Sequence, residues 1–360
     1  MKNIIFLLLA VFCVTISPHP ASAQVMSLKL TGLKAEILSN YDDNILRYSD
    51  RDLDYFKNRT EINPSKLTTC DDSKNDFRLK FYIDGPQFFG NALKIRYFGK
   101  FSHFFNNSFK NYSSHTFILD QKISEKFSVD FKYFLLADFY LREYRDRDLN
   151  EYQSCTFDNH QARLGIDYRL TKNTAFTVQG QFDQIYYNQY FIEYDSENLS
   201  YFAVLNQRIH RDLRISFSAG FTAADNIGYV PIIPGIFDPL SEDDTEYGDG
   251  SYEEETYQAQ IRWRLRKLLG KDAWFSLGYK LRHRIYTTDN LLEDDPFHAG
   301  RMDDRHRIVF SFDRNLLPRL EGNLTYTREW RETTSDYSTA EDVKSFTQNI
   351  IGFGLTYTIY

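Results

Sequence analysis

Apolar and polar residues alternate with period two through most of the chain. From Phe127 to Asp146 the sequence reads FSVDFKYFLLADFYLREYRD, in which Phe127, Val129, Phe131, Tyr133, Leu135, Ala137, Phe139 and Leu141 share one row while Asp130, Lys132 and Asp138 share the other. Successive side chains of a β-strand point to opposite faces, so this segment predicts a strand with an apolar, aromatic face and a charged face at the same depth. The pattern recurs in LKAEILSNY, DFRLKFYID, ALKIRYFGKF, HTFILDQ, QARLGIDYRL, AFTVQGQFD and LSYFAVLNQRI. It continues in LRISFSAGF, YQAQIRWRL, WFSLGYKLRHRI, RHRIVFSF, LEGNLTYTREW and TQNIIGFGLTYTIY. Together these predict about fourteen strands of about nine residues or more, the length a tilted strand needs to cross a bilayer.

The intervals between strands alternate in length. Short ones fall at 84–91, 122–126, 171–173, 210–212, 266–272 and 314–318; long ones fall at 42–75, 105–114, 143–158, 187–197, 225–254, 287–304 and 331–344. A transmembrane barrel sorts its connections in this way, with short periplasmic turns and long extracellular loops, and an even number of strands leaves both termini in the periplasm. A soluble sandwich has no reason to do so. The expected fold is all-β, a closed antiparallel transmembrane β-barrel of about 14 strands occupying 24–360 as one domain. Closure also satisfies every backbone group inside lipid, which an open sheet cannot do.

Composition agrees. Aromatic residues make up 17% of the chain, with 26 Tyr and 31 Phe, while charged residues make up 26%. That combination suits a barrel with an aromatic lipid face and polar lumen and loops. Past Gln24 there is no run of about 18 apolar residues, which excludes a helical membrane protein. At the amino end, Lys2, the apolar run from Ile4 to Ile16 and the small-x-small step Ala21-Ser22-Ala23 predict a secretory signal over 1–23; an uncleaved anchor helix is the alternative. The compartment implied is the outer membrane of a Gram-negative bacterium, with its lipid and lipopolysaccharide as surroundings. Trp263, Phe275, Tyr326 and Trp330 fit interfacial girdles, and Arg328 fits a rim position facing lipopolysaccharide phosphates.

If the apolar rows face lipid, the opposite rows line a lumen. That lumen is predicted to carry Arg262, Arg264 and Arg266, then Lys280, Arg282 and Arg284, then Arg305 and Arg307, with Arg78, Lys80, Lys94 and Arg96 on earlier strands and the carboxylates Asp130 and Asp138. Charges at this density need water or partners. Two readings follow: a hydrated pore preferring small anionic solutes, or arginine–carboxylate pairs that brace a plugged lumen. Phe134 and Leu136 interrupt the charged row of their strand and suggest a folded-in loop that narrows it.

Other chemistry is sparse. Cys70 and Cys155 remain after signal cleavage, in segments read as loops, and form either a disulfide or two thiols. No metal-ligand spacing occurs, so neither a metal nor another cofactor is expected. The acidic stretches 237–255 and 289–300 lack the order of an EF-hand loop and read as solvated loops. Asp294, Asp295 and His298 share a predicted loop, with His283 and His306 on lipid-facing rows, but no motif supplies a nucleophile, so no enzyme is expected. Nothing points to nucleic acid.

Two segments carry resemblances. GLKAEILSNYDDNILRYSD, from Gly32 to Asp50, resembles the first strand of bacterial outer-membrane β-barrels of the β-barrel porin group, in which a Tyr-Asp-x-Asn step and an aliphatic residue top the strand; here these are Tyr41, Asp42, Asp43, Asn44 and Ile45. A similar opening occurs in barrels that export polysaccharide or surface proteins. The terminal GFGLTYTIY ends on an aromatic residue as such barrels generally do, which implies the barrel-insertion machinery as a partner. The resemblance implies a porin-like channel, as a monomer or an oligomer, with a non-conducting export or surface-assembly barrel as the rival. It brings no catalytic residues.

Overall fold

The computed structural model describes residues 28–58, 66–146, 149, 151–229, 248–268 and 270–360; the predicted signal segment lies outside them. Fourteen strands follow in order: β1 Lys29–Asp42, β2 Asp72–Phe88, β3 Asn91–Phe104, β4 Tyr112–Lys122, β5 Phe127–Arg145, β6 Tyr152–Arg169 and β7 Thr174–Tyr187, then β8 Ser196–His210, β9 Leu213–Asp225, β10 Tyr252–Leu268, β11 Lys271–Tyr286, β12 Met302–Leu317, β13 Leu320–Thr334 and β14 Phe346–Thr358. Two helices, α1 Asp50–Asn58 and α2 Ser338–Lys344, lie between strands. Each strand pairs antiparallel with its sequence neighbour, and β1 pairs with β14 to close the ring.

One end of the ring is made by the turns 89–90, 123–126, 170–173, 211–212, 269–270 and 318–319, and the other by the connections 43–71, 105–111, 146–151, 188–195, 226–251, 287–301 and 335–345. The first turn is tighter than the interval 84–91 read from the sequence. Phe89 and Gly90 both have positive φ, 53° and 73°, the geometry of a type I′ hairpin whose twist matches the strands it joins. Likewise β5 and β6 continue through most of 143–158, so Cys155 lies within a strand.

The outer surface is the apolar one. Ile37, Phe77, Phe101, Phe117, Leu164, Tyr201, Phe217, Trp263, Leu277 and Phe353 are all exposed. In water a continuous belt of this kind would drive aggregation; against acyl chains it is the stable arrangement. A closed antiparallel ring with an apolar belt is an outer-membrane β-barrel.

The predicted phase of β5 fails in its last third. The β5–β6 register shifts between Leu136 and Phe139 and again between Tyr140 and Arg142. Each bulge inserts a residue and resets which face the following side chains take. Asp138 occupies the first bulge with φ 48°, is exposed, and its N–H donates to Asp158 Oδ1 at 2.7 Å. It is therefore a bulge residue rather than a lumen carboxylate. Phe139, placed on the lipid row by simple alternation, instead meets Tyr112 edge to face with ring centroids 5.0 Å apart, beside the loop-end apolar cluster.

Apolar packing is concentrated inside the loop end. Ile45, Leu46 and Leu67 of connection 43–71 pack with Phe104 of β3 and Tyr140 of β5, and a second cluster joins Tyr144, Cys155 and Phe191. The loop contacts of β5 fall on Tyr140, further toward the loop end than Phe134 and Leu136, where a folded-in loop was expected.

Candidate functional site

The candidate site is the lumen. On the β1–β6 arc several of its charges are braced across neighbouring strands. Glu36 of β1 accepts from Arg78 Nη1 at 2.8 Å and also from Lys80 Nζ, both on β2. Arg96 meets Asp120 at 2.5 Å, and Lys94 meets Asp84 at 2.7 Å. Asp130 on β5 takes Arg163 of β6 at 3.1 Å. Directly opposite Asp130 stands Gly165, where any Cβ would overlap the Asp130 carboxylate, so the missing side chain is what leaves room for this pair.

The opposite wall is only partly braced. Arg284 reaches Glu254 at 2.9 Å and lies over the Tyr252 ring at 3.5 Å. Glu329 is shared by Arg305, by Arg307 at 3.7 Å and by Arg47 at 3.5 Å. Arg264 and Arg266 sit at the turn-end rim and are held by the turn carboxylates Asp272 and Asp212. Arg262, Lys280 and Arg282 have no carboxylate partner among the described residues; Arg262 instead lies over Trp274 at 4.8 Å. Lys280 stands directly opposite Arg307, and Arg282 opposite Arg305.

Two further lumen cations escape a reading by strand pattern. Arg208 and Arg214 are lone basic residues on largely neutral strands, yet Arg208 pairs directly with Arg214 across the 211–212 turn, and Arg214 pairs with Arg262. The usable signal was their symmetric spacing about that turn. The structure thus divides the predicted set. Arg78, Lys80, Lys94, Arg96, Asp130, Arg284, Arg305 and Arg307 belong to braces, Arg264 and Arg266 to the rim, and Arg262, Lys280 and Arg282 to an uncompensated wall, while Asp138 leaves the lumen.

Connection 43–71 narrows the loop end of the lumen. Leu46 O accepts from Arg142 of β5 at 3.2 Å, while Asn44 Nδ2 donates to Thr347 O at 3.0 Å and Arg47 Nε donates to Gln348 at 3.3 Å, both on β14. The segment therefore bridges two distant parts of the wall. Under it lies Lys110, buried, with Nζ donating to Tyr140 O at 3.3 Å and close to the rings of Phe139 and Tyr140. Burial, with Arg142 and Arg47 adding repulsion, pushes this ammonium down to about 7.

Once exposed, Lys110 would regain an ordinary value of about 10.4. Between those two values the docked loop binds fewer protons than the released loop, so raising pH from about 7 toward 10 favours docking. We expect single-channel conductance to fall over that window, and Lys110→Met to remove the pH dependence and hold conductance at its low, high-pH value. An unchanged pH profile in Lys110→Met would contradict this account.

Cys70 is half-buried, and Cys155 is buried in the second apolar cluster with Tyr144 and Phe191. Asp295 is fully buried, accepting from Asp249 N at 2.9 Å and pairing with His298 Nδ1 at 2.7 Å, so it organises the loops. Among the described residues no cluster of three metal-ligating groups occurs; most of the acidic stretch 237–255 lies outside them. The histidines on outward rows are satisfied locally: His306 by the Tyr279 hydroxyl at 2.8 Å and His283 by Asp304 at 2.7 Å, with Tyr97–His115 and Tyr133–His160 repeating the first arrangement.

No protein-family profile matches the chain, and no curated protein sequence matches it. Among solved structures, the outer membrane channel DcaP of Acinetobacter baumannii aligns over 96% of this chain and 100% of its own at TM-score 0.47 and 8% identity. The in-vitro folded trimeric OmpT of Vibrio cholerae aligns over 93% and 100%, with TM-score 0.46 and 8% identity. The anion-selective porin from Comamonas acidovorans aligns over 92% and 100%, with TM-score 0.43 and 9% identity.

Proposed function

We propose that this porin-like barrel is a passive channel for small hydrophilic solutes with a preference for anions. The observation that carries the reading is a set of cations without carboxylate partners among the described residues: Arg208, Arg214 and Arg262 in one row at the turn end, and Lys280 and Arg282 further toward the loop end, in a lumen where most other arginines are paired. A dry lumen would need carboxylates against these groups; water and transiting anions serve in their place. The wall is open as well as charged, since Arg208, Arg214, Gln258, Gln260 and Arg262 are all exposed along the inner face of β8–β10. In this reading the turn end faces the periplasm and the loop end the outside, and no catalytic step is involved.

The rival reading is a non-conducting export or surface-assembly barrel, favoured by the docking of connection 43–71 across the lumen. Proteoliposome uptake separates the two. Purified full-length protein is expected to admit a small carboxylate faster than an amine of equal size, and Lys280→Gln with Arg282→Gln to narrow that difference. Liposomes as tight as protein-free controls would contradict the channel.

A further inference from the structure

At the turn end, between β6 and β10, the lumen widens into a cavity of about 590 Å³. Arg169, Lys172, Arg208, Arg214 and Arg262 contribute to its wall, and no lining residue is acidic. Three of these cations form a single row, Arg208 opposite Arg214 and Arg214 opposite Arg262. Like charges directly opposite across strands repel, and stacking three of them raises that cost. The neighbouring arginines show that carboxylates are within the chain's means here: Arg264 and Arg266 each receive one from a turn, Asp272 and Asp212. Among the described residues the five cavity cations receive none.

Asn173, Asn206, Ser216 and Gln260 add neutral hydrogen-bonding groups to the lining, and Ala175 and Ile215 add apolar ones. We propose that this cavity binds a small oxoanion carrying two charges, of the phosphate-monoester class. A guanidinium presents a planar fork of donors that matches two oxygens of one phosphate, and several such forks on adjacent strands match several oxygens at once. The volume exceeds what a bare ion fills and leaves space for an organic substituent beside the amide and hydroxyl groups. The proposal rests on the reading of the lumen as an anion path, and it places a holding site at the end where a solute leaves.

The test uses inorganic phosphate as the probe, with the full-length protein in detergent micelles at pH 8 and low ionic strength, where screening is weak. Line broadening of the phosphorus resonance is expected to saturate with phosphate concentration. The triple variant Arg208→Gln, Arg214→Gln, Arg262→Gln is expected to bind at least about ten-fold more weakly. The variant Lys57→Gln, at an exposed position on α1 at the loop end, is expected to bind as the unaltered protein does. Both variants are first checked for the heat-dependent electrophoretic shift of a folded barrel. Non-saturable broadening, a triple variant that binds normally, or malonate displacing phosphate at lower concentration than phosphate itself requires would each overturn the proposal. Because binding is read without flux, a barrel that binds phosphate but conducts nothing rejects only the channel, and an anion-selective channel without saturable phosphate binding rejects only the site.

Discussion

Glu329→Gln is expected to release three arginines at once. Its carboxylate is almost fully buried and is shared by Arg305 and Arg307 on β12 and by Arg47 from connection 43–71. Removing one partner of a buried pair costs about 3–5 kcal/mol. Arg307 and Arg47 are about half exposed to lumen water, which screens their share, so we expect a loss of about 2 kcal/mol, read as a lower urea midpoint of the folded, slow-migrating species. Two functional changes should accompany it. Conductance rises because Arg47 loses its wall anchor, and anion preference strengthens because a negative charge has left the lumen. Reduced stability with unchanged conductance and selectivity would show that Glu329 only braces the wall.

The second large effect is at the constriction. Leu46 is buried among Ile45, Leu67, Phe104 and Tyr140. Leu46→Ser removes about 1.5–3 kcal/mol of burial and leaves a hydroxyl among the apolar side chains of the cluster. The segment should undock while the ring, whose strand pairs do not involve Leu46, stays closed. Single-channel conductance is then expected to rise by about two-fold, the scale of removing a constricting loop. An unaltered conductance with an intact barrel would mean that the narrowest point lies elsewhere.

Most of the ring was legible from alternation alone, because in a barrel bathed by lipid outside and water inside each strand keeps one apolar and one polar row along its length. β2, for example, shows Phe77, Leu79 and Phe81 against Arg78 and Lys80 in sequence and keeps that division in space. Alternation stops being informative where the backbone adds a residue. Asp138 carries no signature that distinguishes a bulge from a regular strand position, so its misplacement and that of Phe139 follow from one unmarked insertion. Which cations are braced was also hidden. Pairing depends on cross-strand register, and a strand read by itself does not reveal that Glu36 serves Arg78 and Lys80 or that Arg214 has arginines on both sides. The row of three was recoverable only by pairing strands outward from the 211–212 turn. The docking of connection 43–71 depends on contacts far apart in sequence, such as Asn44 with Thr347, and no local pattern marks it.

The proposed channel requires an open lumen with a net cationic wall. The most direct measurement is the reversal potential of the full-length protein in a planar bilayer under a potassium chloride gradient. The predicted result is stepwise current with a reversal potential on the chloride side, moving toward zero when Arg262, Lys280 and Arg282 are replaced by Gln. A silent bilayer, or a potassium-selective reversal potential unaffected by those replacements, would contradict it.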